Sequence, residues 1–138
     1  MTAKSFVDTD VLLYAHDRDA GRKHEIAKDV LEKCWEERSG TLSAQVLHEF
    51  YVNVTRKIKI PLAQAVARSV VQTYGVWCVA AAGADIDAAF RIEDEARISF
   101  WDALIVAAAA RSGATRLLSE DLNAGQTIAG VRIENPFA

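Results

Sequence analysis

The sequence has few prolines, few cysteines and no long apolar run. Only 2 prolines, 7 glycines and 2 cysteines occur among 138 residues, which excludes a disordered chain and a repeat array and means that disulfides are not needed to explain stability. The longest apolar run, residues 103–110, is much shorter than the ~20 residues that a membrane-spanning helix needs. We therefore expect no contact with a membrane.

Signs of export are also missing. The N-terminal residues reach Asp8 before any apolar stretch that is long enough for a signal peptide. Cys34 and Cys78 lack CxxC spacing and nearby histidine ligands, so we expect two buried, reduced thiols. Both observations favour a cytoplasmic protein.

An excess of positive charge is absent as well. The 16 Lys and Arg residues face 19 Asp and Glu residues, which gives a formal net charge of −3. This balance excludes a protein that coats nucleic acid with a broadly basic surface, so any nucleic-acid contact must be local. A hydrophobic content of 51% at this length predicts one domain, residues 1–138, with a full core of its own.

Short apolar runs alternate along the chain with segments of helical periodicity. The predicted strands are residues 4–7, 40–43, 76–79, 115–118 and 131–133. The predicted helices are a segment from about His24 to Arg38, one that follows Ser43, one with Pro61 in its first turn that ends near Gly75, residues 85–97, and one that runs from Ser99 to Gly113. The cores of the strands are apolar runs and not period-two patterns, which is typical of parallel strands covered on both faces. The pattern predicts an α/β fold, a three-layer α/β/α sandwich around a mainly parallel sheet of about five strands.

Two kinds of residue mark the ends of these helices. Ser43 and Ser99 are suited to the N-cap position, where a hydroxyl accepts a hydrogen bond from a backbone N–H of the first turn. Gly113 follows the last apolar helix and suits the left-handed conformation that often ends a helix.

Acidic residues fall where open parallel sheets bind their ligands, beyond the carboxyl ends of the strands. They are Asp8 and Asp10 after the first strand, Glu49 on the second turn after Ser43, Asp102 in the first turn after Ser99, and Glu120 and Asp121 after the strand that ends at Leu118. Converging carboxylates raise one another's pKa unless a cation compensates them. Oxygen ligands favour Mg²⁺ or Mn²⁺, and such an ion can activate water for attack on a phosphodiester.

Each acid also has a structural interpretation. Asp102 can stabilise the start of its helix, Asp121 can be an exposed helix start, and Glu49 can be an ordinary surface residue. Asp8 is harder to explain in this way, because an acid at the end of a buried strand is partly desolvated and must find a partner. We therefore regard Asp8 as the strongest single candidate for a functional role.

Four segments resemble the motifs of PIN-domain ribonucleases, in particular the VapC-type toxins of bacterial toxin–antitoxin pairs. Residues 6–14, FVDTDVLLY, resemble the opening strand and first acid of that family, and residues 43–51, SAQVLHEFY, resemble its second motif. Residues 98–109, ISFWDALIVAAA, are similar to the third motif, and residues 117–123, LLSEDLN, to the fourth. The resemblance spans nearly the whole chain and keeps the order of the motifs.

The resemblance implies a set of roles. Asp8, Glu49, Asp102 and Asp121 would surround one or two divalent ions, with Asp121 a better match than Glu120. Thr9 and Ser119 would be hydroxyl groups near the site. Asp10 departs from the family, because many relatives have Asn or Ser there, and it either tunes metal affinity or caps the following helix. The family also implies an RNA substrate, a small cognate antitoxin and a homodimer.

Basic and aromatic residues give limited further indications. Arg22 and Lys23 follow the first motif and Arg56 and Lys57 follow the second, where they can steer phosphates or can simply be solvated surface charges. Trp101 can stack an RNA base, although its place in an apolar helix favours packing in the core or in a dimer.

Two other functions fit parts of the sequence. In a haloacid-dehalogenase-like phosphatase, Asp8 would be the nucleophile and Asp10 the acid/base, but that interpretation leaves Glu49 and Asp102 without a role. A catalytically silent PIN-like interaction module is the other alternative, and the complete set of acids argues against it.

Overall fold

Strand β1 lies in the interior of a six-stranded sheet that helices cover on both faces. The computed structural model describes residues 3–138. The strands are β1 (Ser5–Val7), β2 (Gly40–Ser43), β3 (Cys78–Val79), β4 (Arg116–Leu118), β5 (Thr127–Ile128) and β6 (Val131–Glu134). The helices are α1 (Thr9–Ala15), α2 (Arg22–Glu37), α3 (Ala44–Arg56), α4 (Gln64–Tyr74), α5 (Gly83–Ala96) and α6 (Phe100–Arg111).

The strand order in the sheet is β3-β2-β1-β4-β6-β5, and all neighbours are parallel except β5 and β6. The predicted mainly parallel sheet and three-layer architecture are therefore confirmed. The strand number is six, not the predicted five. The missed strand, β5, is only two residues long and joins β6 through a tight turn in which Ala129 and Gly130 both have positive φ.

Two other boundaries differ from the sequence prediction. Residues Gly75–Trp77 form a 3₁₀ turn, so the third strand contains only Cys78 and Val79. Pro61 lies ahead of α4 and not in its first turn, because the next residue, Leu62, still bonds through its N–H to the carbonyl of Val54 on α3.

The core follows from the connections between parallel strands. Right-handed crossovers place α1 to α4 on one face of the sheet and α5 and α6 on the other. The central strands contribute side chains that are fully buried on both faces, including Phe6, Leu42 and Leu117, and Phe50 of α3 packs among them. Within the described residues, no helix is both long enough and apolar enough to cross a membrane.

The predicted helix ends are confirmed. The Ser43 hydroxyl accepts a hydrogen bond from the N–H of Val46, and the Ser99 hydroxyl accepts one from the N–H of Asp102. Gly113 has a φ of 80° just beyond α6, where the N–H of the next residue closes a bond to the carbonyl of Ala109.

Both thiols are free, as the sequence predicts. Cys34 is buried on α2, whereas Cys78 is only partly buried. The expectation of two buried thiols is therefore wrong for Cys78, because it lies on the two-residue edge strand β3.

Gly40 on β2 faces the ring of Trp77, and this contact predicts a large loss of stability on substitution. A Cβ atom at position 40 would lie 2.5 Å from Cε2 of that ring. The ring has little room to move, because it packs at 4.2 Å from Trp35 and 5.2 Å from Tyr74 between ring centroids. We expect Gly40→Ala to lower the free energy of unfolding by about 1–3 kcal/mol, measured by urea denaturation.

The matched control is Gly83→Ala at the start of α5, where an added Cβ meets no atom within 4 Å. We expect no loss there, because alanine has the higher helix propensity. Equal stability of the Gly40 variant and the wild type would show that Trp77 moves aside without cost.

Candidate active site

The strand order creates a crevice at the carboxyl ends of β1 and β4. These strands are neighbours, but the chain continues from β1 towards β2 on one side and from β4 towards β6 on the other. Ligands of open α/β sheets bind at such a switch point. Asp8 follows β1 directly, and its N–H donates to the carbonyl of Leu118 at the end of β4, at 3.0 Å.

Asp8 is the buried acid of this crevice, with 7% of its surface exposed. One carboxylate oxygen accepts the N–H of Thr9 at 2.7 Å, and the other accepts the hydroxyl of Ser119 at 2.8 Å. Burial, opposed by these two hydrogen bonds and helped by the charges of Glu49 and Asp121, raises the pKa of Asp8 to about 6. The Asp8 carboxylate is thus held in place while its negative charge is left without a cation.

Asp10 lies two positions after Asp8, in the first turn of α1, and its pKa is perturbed more strongly. Burial and the charge of Asp8 raise the pKa of Asp10 to about 8. Its Oδ2 accepts the N–H of Glu120 at 3.0 Å, whereas its buried Oδ1 has no hydrogen-bond partner. The residue that caps the N-terminus of α1 is Asp8, whose side chain accepts the N–H of Thr9. Asp10 therefore does not cap this helix; it ties the loop after β4 to α1.

Glu49 and Asp102 bring negative charge to the same region from two other helices. Burial, with smaller contributions from the charges of Asp102 and Asp121, raises the pKa of Glu49, while Gln45 and Thr9 oppose this shift. Asp102 lies in the first turn of α6 and is partly buried. The structure thus brings all four predicted acids close enough to influence one another electrostatically, although they come from four separate segments.

The two candidates for the fourth acid have different surroundings. Glu120 accepts the hydroxyl of Tyr14 at 2.7 Å and forms an ion pair with Lys23 at 2.5 Å. Burial raises the pKa of Glu120, but these two partners outweigh it and the net shift is downward. Asp121 is exposed and its charge acts on Asp8, Asp10 and Glu49. The carboxylate of Glu120 is therefore already compensated, and that of Asp121 faces the other acids.

The hydroxyl and basic candidates lie in several places. Ser119 is fully buried against Asp8, and the buried Thr9 hydroxyl makes no hydrogen bond of normal geometry. Arg22 is exposed at the start of α2. Arg56 and Lys57 are exposed at the far end of α3, about 10 Å along the helix axis from Glu49. Distance thus separates the second basic pair from the acids.

Sequence reasoning missed some side chains that organise the site. Tyr14 belongs to an apolar run in the sequence, yet its position four residues after Asp10 places both on one face of α1. Gln45, four residues before Glu49, donates from its amide nitrogen to the carbonyl of Trp101 at 3.3 Å. Trp101 itself is 64% exposed, so packing in the core, one of its two expected environments, is wrong, and packing in a dimer stays a prediction.

The carboxylates at the crevice could hold a divalent ion only if it kept several of its waters. Within residues 3–138, no group of three Asp, Glu, His or Cys side chains is close enough to enclose an ion directly. Mg²⁺ does not require this, since it usually keeps several waters and takes one or two carboxylates. The unpartnered Oδ1 of Asp10 and the raised pKa values of Asp8 and Asp10 show carboxyl groups whose charged form is disfavoured until a cation compensates it. This donor set fits a hydrated hard cation.

Several solved structures share this architecture. The DNA-bound VapBC from Salmonella typhimurium has a chain that is 18% identical, with a TM-score of 0.69, over 98% of this chain and 99% of that chain. FitAcB from Neisseria gonorrhoeae is 16% identical, with a TM-score of 0.66, over 96% and 98%. The sarcin-ricin loop cleaving toxin VapC20 from Mycobacterium tuberculosis is 17% identical, with a TM-score of 0.62, over 86% and 90%. At these identities the likeness shows a shared fold.

Comparison with curated protein sequences gives no match. The family model described as PIN domain, in contrast, matches residues 5–127, which include all four candidate acids. Because that match covers most of the sequence and the fold agrees with it, the chain belongs to the PIN domain family.

Proposed function

We propose that this chain is a divalent-metal-dependent endoribonuclease and the toxin of a toxin–antitoxin pair. The observation that carries the proposal is the buried, uncompensated Asp8 at the sheet switch point, with Glu49, Asp102 and Asp121 close enough to act on it or on one another. These four acids would hold Mg²⁺ or Mn²⁺. When bound, the ion supplies an activated water and positive charge for the phosphodiester.

The protein contributes to this chemistry by holding the acids in fixed positions. Ser119 and the N–H of Thr9 fix the Asp8 carboxylate, and Asp10 fixes the loop that carries Asp121. Because these contacts hold the carboxylates in position, the acids do not have to be reordered during the reaction. No histidine base is needed for such hydrolysis.

The family and the structural neighbours support the proposed substrate and partners. VapC20 is a toxin that cleaves the sarcin-ricin loop, which supports an RNA substrate, and the VapBC and FitAcB assemblies support a small antitoxin partner. We propose that the chain works in the cytoplasm as a homodimer of single domains. Arg22, Arg56 and Lys57 would steer RNA phosphates at longer range, with Lys23 available only when its pair with Glu120 opens.

The test is cleavage of a structured RNA in Mg²⁺ or Mn²⁺, with EDTA as the metal-free arm. We expect Asp102→Asn to lower the cleavage rate by about 100-fold or more, because a neutral amide holds a cation less well than a carboxylate does. The control is Asp94→Asn, an exposed acid on α5, which should leave the rate unchanged.

Other outcomes would identify the alternative functions. Cleavage in EDTA, or wild-type activity of the Asp102 variant, contradicts the proposed metal site. Hydrolysis of a small phosphomonoester with an aspartyl-phosphate intermediate would indicate the phosphatase mechanism. Absence of both activities in a protein that still binds a partner would indicate an interaction module.

A further inference from the structure

Trp101 is a large aromatic side chain that lies mostly on the surface, with no packing role in the core. It is 64% exposed, whereas Trp77 is buried and Trp35 packs against Trp77 and Tyr74. Trp101 contacts the edge of Phe100, with ring centroids 5.5 Å apart. Exposed tryptophan side chains are enriched at binding surfaces, because covering the large ring removes much apolar area from water.

Two contacts connect Trp101 to the acids. Asp102 is the next residue in the first turn of α6. Gln45 on α3 donates to the carbonyl of Trp101 and also hydrogen-bonds to the carboxylate of Glu49, one helical turn further along. The Gln45 amide therefore lies between Glu49 and the backbone of Trp101, and the ring belongs to the residue directly before Asp102.

An open groove of about 510 Å³ runs beside this ring. The start of α3, the loop after β3 and the exposed flank of α5 and α6 form it, and most of its lining is apolar. Gln45, which bonds to the backbone of Trp101, and His48 add hydrogen-bonding groups to the lining. The volume lies within the ~300–1,000 Å³ that is typical of small-molecule pockets.

We infer that this groove is a nucleotide subsite, in which Trp101 stacks on an unpaired base of the RNA next to the cleaved phosphodiester. The inference rests on the proposed function and names how the substrate is positioned. Unstacked bases in single-stranded RNA bind on aromatic faces and are read through their edges. Trp101 supplies the face, Gln45 and His48 supply edge contacts, and Asp102 fixes the distance from the base to the acids.

The first test is RNA binding in metal-free buffer, where cleavage does not occur. The probes are a short oligouridylate and an abasic ribose-phosphate oligomer of the same length. Because Trp101 is the exposed tryptophan, we expect the oligouridylate to quench its fluorescence and the abasic oligomer to leave it unchanged. Trp101→Phe should lose the quenching and keep most of the affinity, since phenylalanine still stacks.

The second test uses Trp101→Leu, which keeps an apolar side chain but removes the aromatic face. We expect its affinity for the oligouridylate to fall about 5- to 150-fold. In cleavage assays the KM should rise with little change in kcat, as for a contact that is equal in the ground and transition states. The control is Phe90→Leu, an aromatic residue on α5 that is 50% exposed.

Three results would overturn the inference. They are unchanged RNA affinity in Trp101→Leu, equal binding of the abasic oligomer, and a change from dimer to monomer in Trp101→Leu by analytical ultracentrifugation. The last result would assign Trp101 to a protein interface. If instead the oligouridylate quenches Trp101 but wild-type protein cleaves no RNA in Mg²⁺ or Mn²⁺, the subsite stands and the proposed catalytic function fails.

Discussion

Asp8→Asn is expected to reduce RNA cleavage by at least about 100-fold while the fold is kept. The substitution removes the buried carboxylate charge that would bind a hydrated cation together with the other acids. It keeps the shape of the side chain, and its amide oxygen can still accept the N–H of Thr9. Cleavage rates at saturating Mg²⁺, with circular dichroism as the check on folding, measure this effect.

Asp29→Asn is the matched control for this loss, since Asp29 is an exposed acid on α2. It should cleave RNA at the wild-type rate. A second measurement, Mn²⁺ binding by calorimetry, separates an effect of Asp8 on metal binding from an effect on RNA cleavage. If the Asp8 variant binds Mn²⁺ and cleaves RNA as the wild type does, the acids at the switch point are not the catalytic site.

The position of Asp8 could be predicted because local and global signals agree there. A short apolar run followed by an acid indicates a buried parallel strand with a polar residue at its carboxyl end. The hydroxyls of Ser43 and Ser99 and the conformation of Gly113 similarly depend on a few neighbouring residues. Such features are determined locally, so the sequence alone is enough to find them.

Contacts between distant segments could not be predicted in the same way. The bonds from Tyr14 and Lys23 to Glu120 join residues about a hundred positions apart, and no periodicity reports them. The exposure of Trp101 depends on how α6 packs on its neighbours, and apolar helices of this length are usually buried. Strand β5 is too short for any run of side chains to indicate it.

The metal-free protein is expected to lose stability as the pH rises from about 4 to about 8. In the unfolded chain the carboxyls of Asp8 and Asp10 have the ordinary aspartate pKa of 3.8, and burial raises their pKa values in the folded chain to about 6 and about 8. Between these limits the folded state binds more protons than the unfolded state, so each step up in pH favours unfolding. For Asp8 the full loss is about 3 kcal/mol.

Asp10→Asn tests this origin directly. The amide oxygen can still accept the N–H of Glu120, while the charge that burial and Asp8 disfavour is gone. We expect the variant to be more stable than the wild type by at least about 2 kcal/mol near pH 8 in EDTA, and equal to it near pH 4. Urea denaturation across this pH range measures both differences.

Mg²⁺ should oppose the same loss, because a cation bound only to the folded state stabilises it by RT ln(1 + L/Kd), where L is the free cation concentration. The wild type would then keep its stability at high pH in Mg²⁺ and lose it in EDTA. The stability of Asp8→Asn should differ little between Mg²⁺ and EDTA. A wild-type stability that is flat with pH in EDTA would mean that the acids are compensated within the protein itself. In that case, the principal physical reason to place a cation between β1 and β4 would be lost.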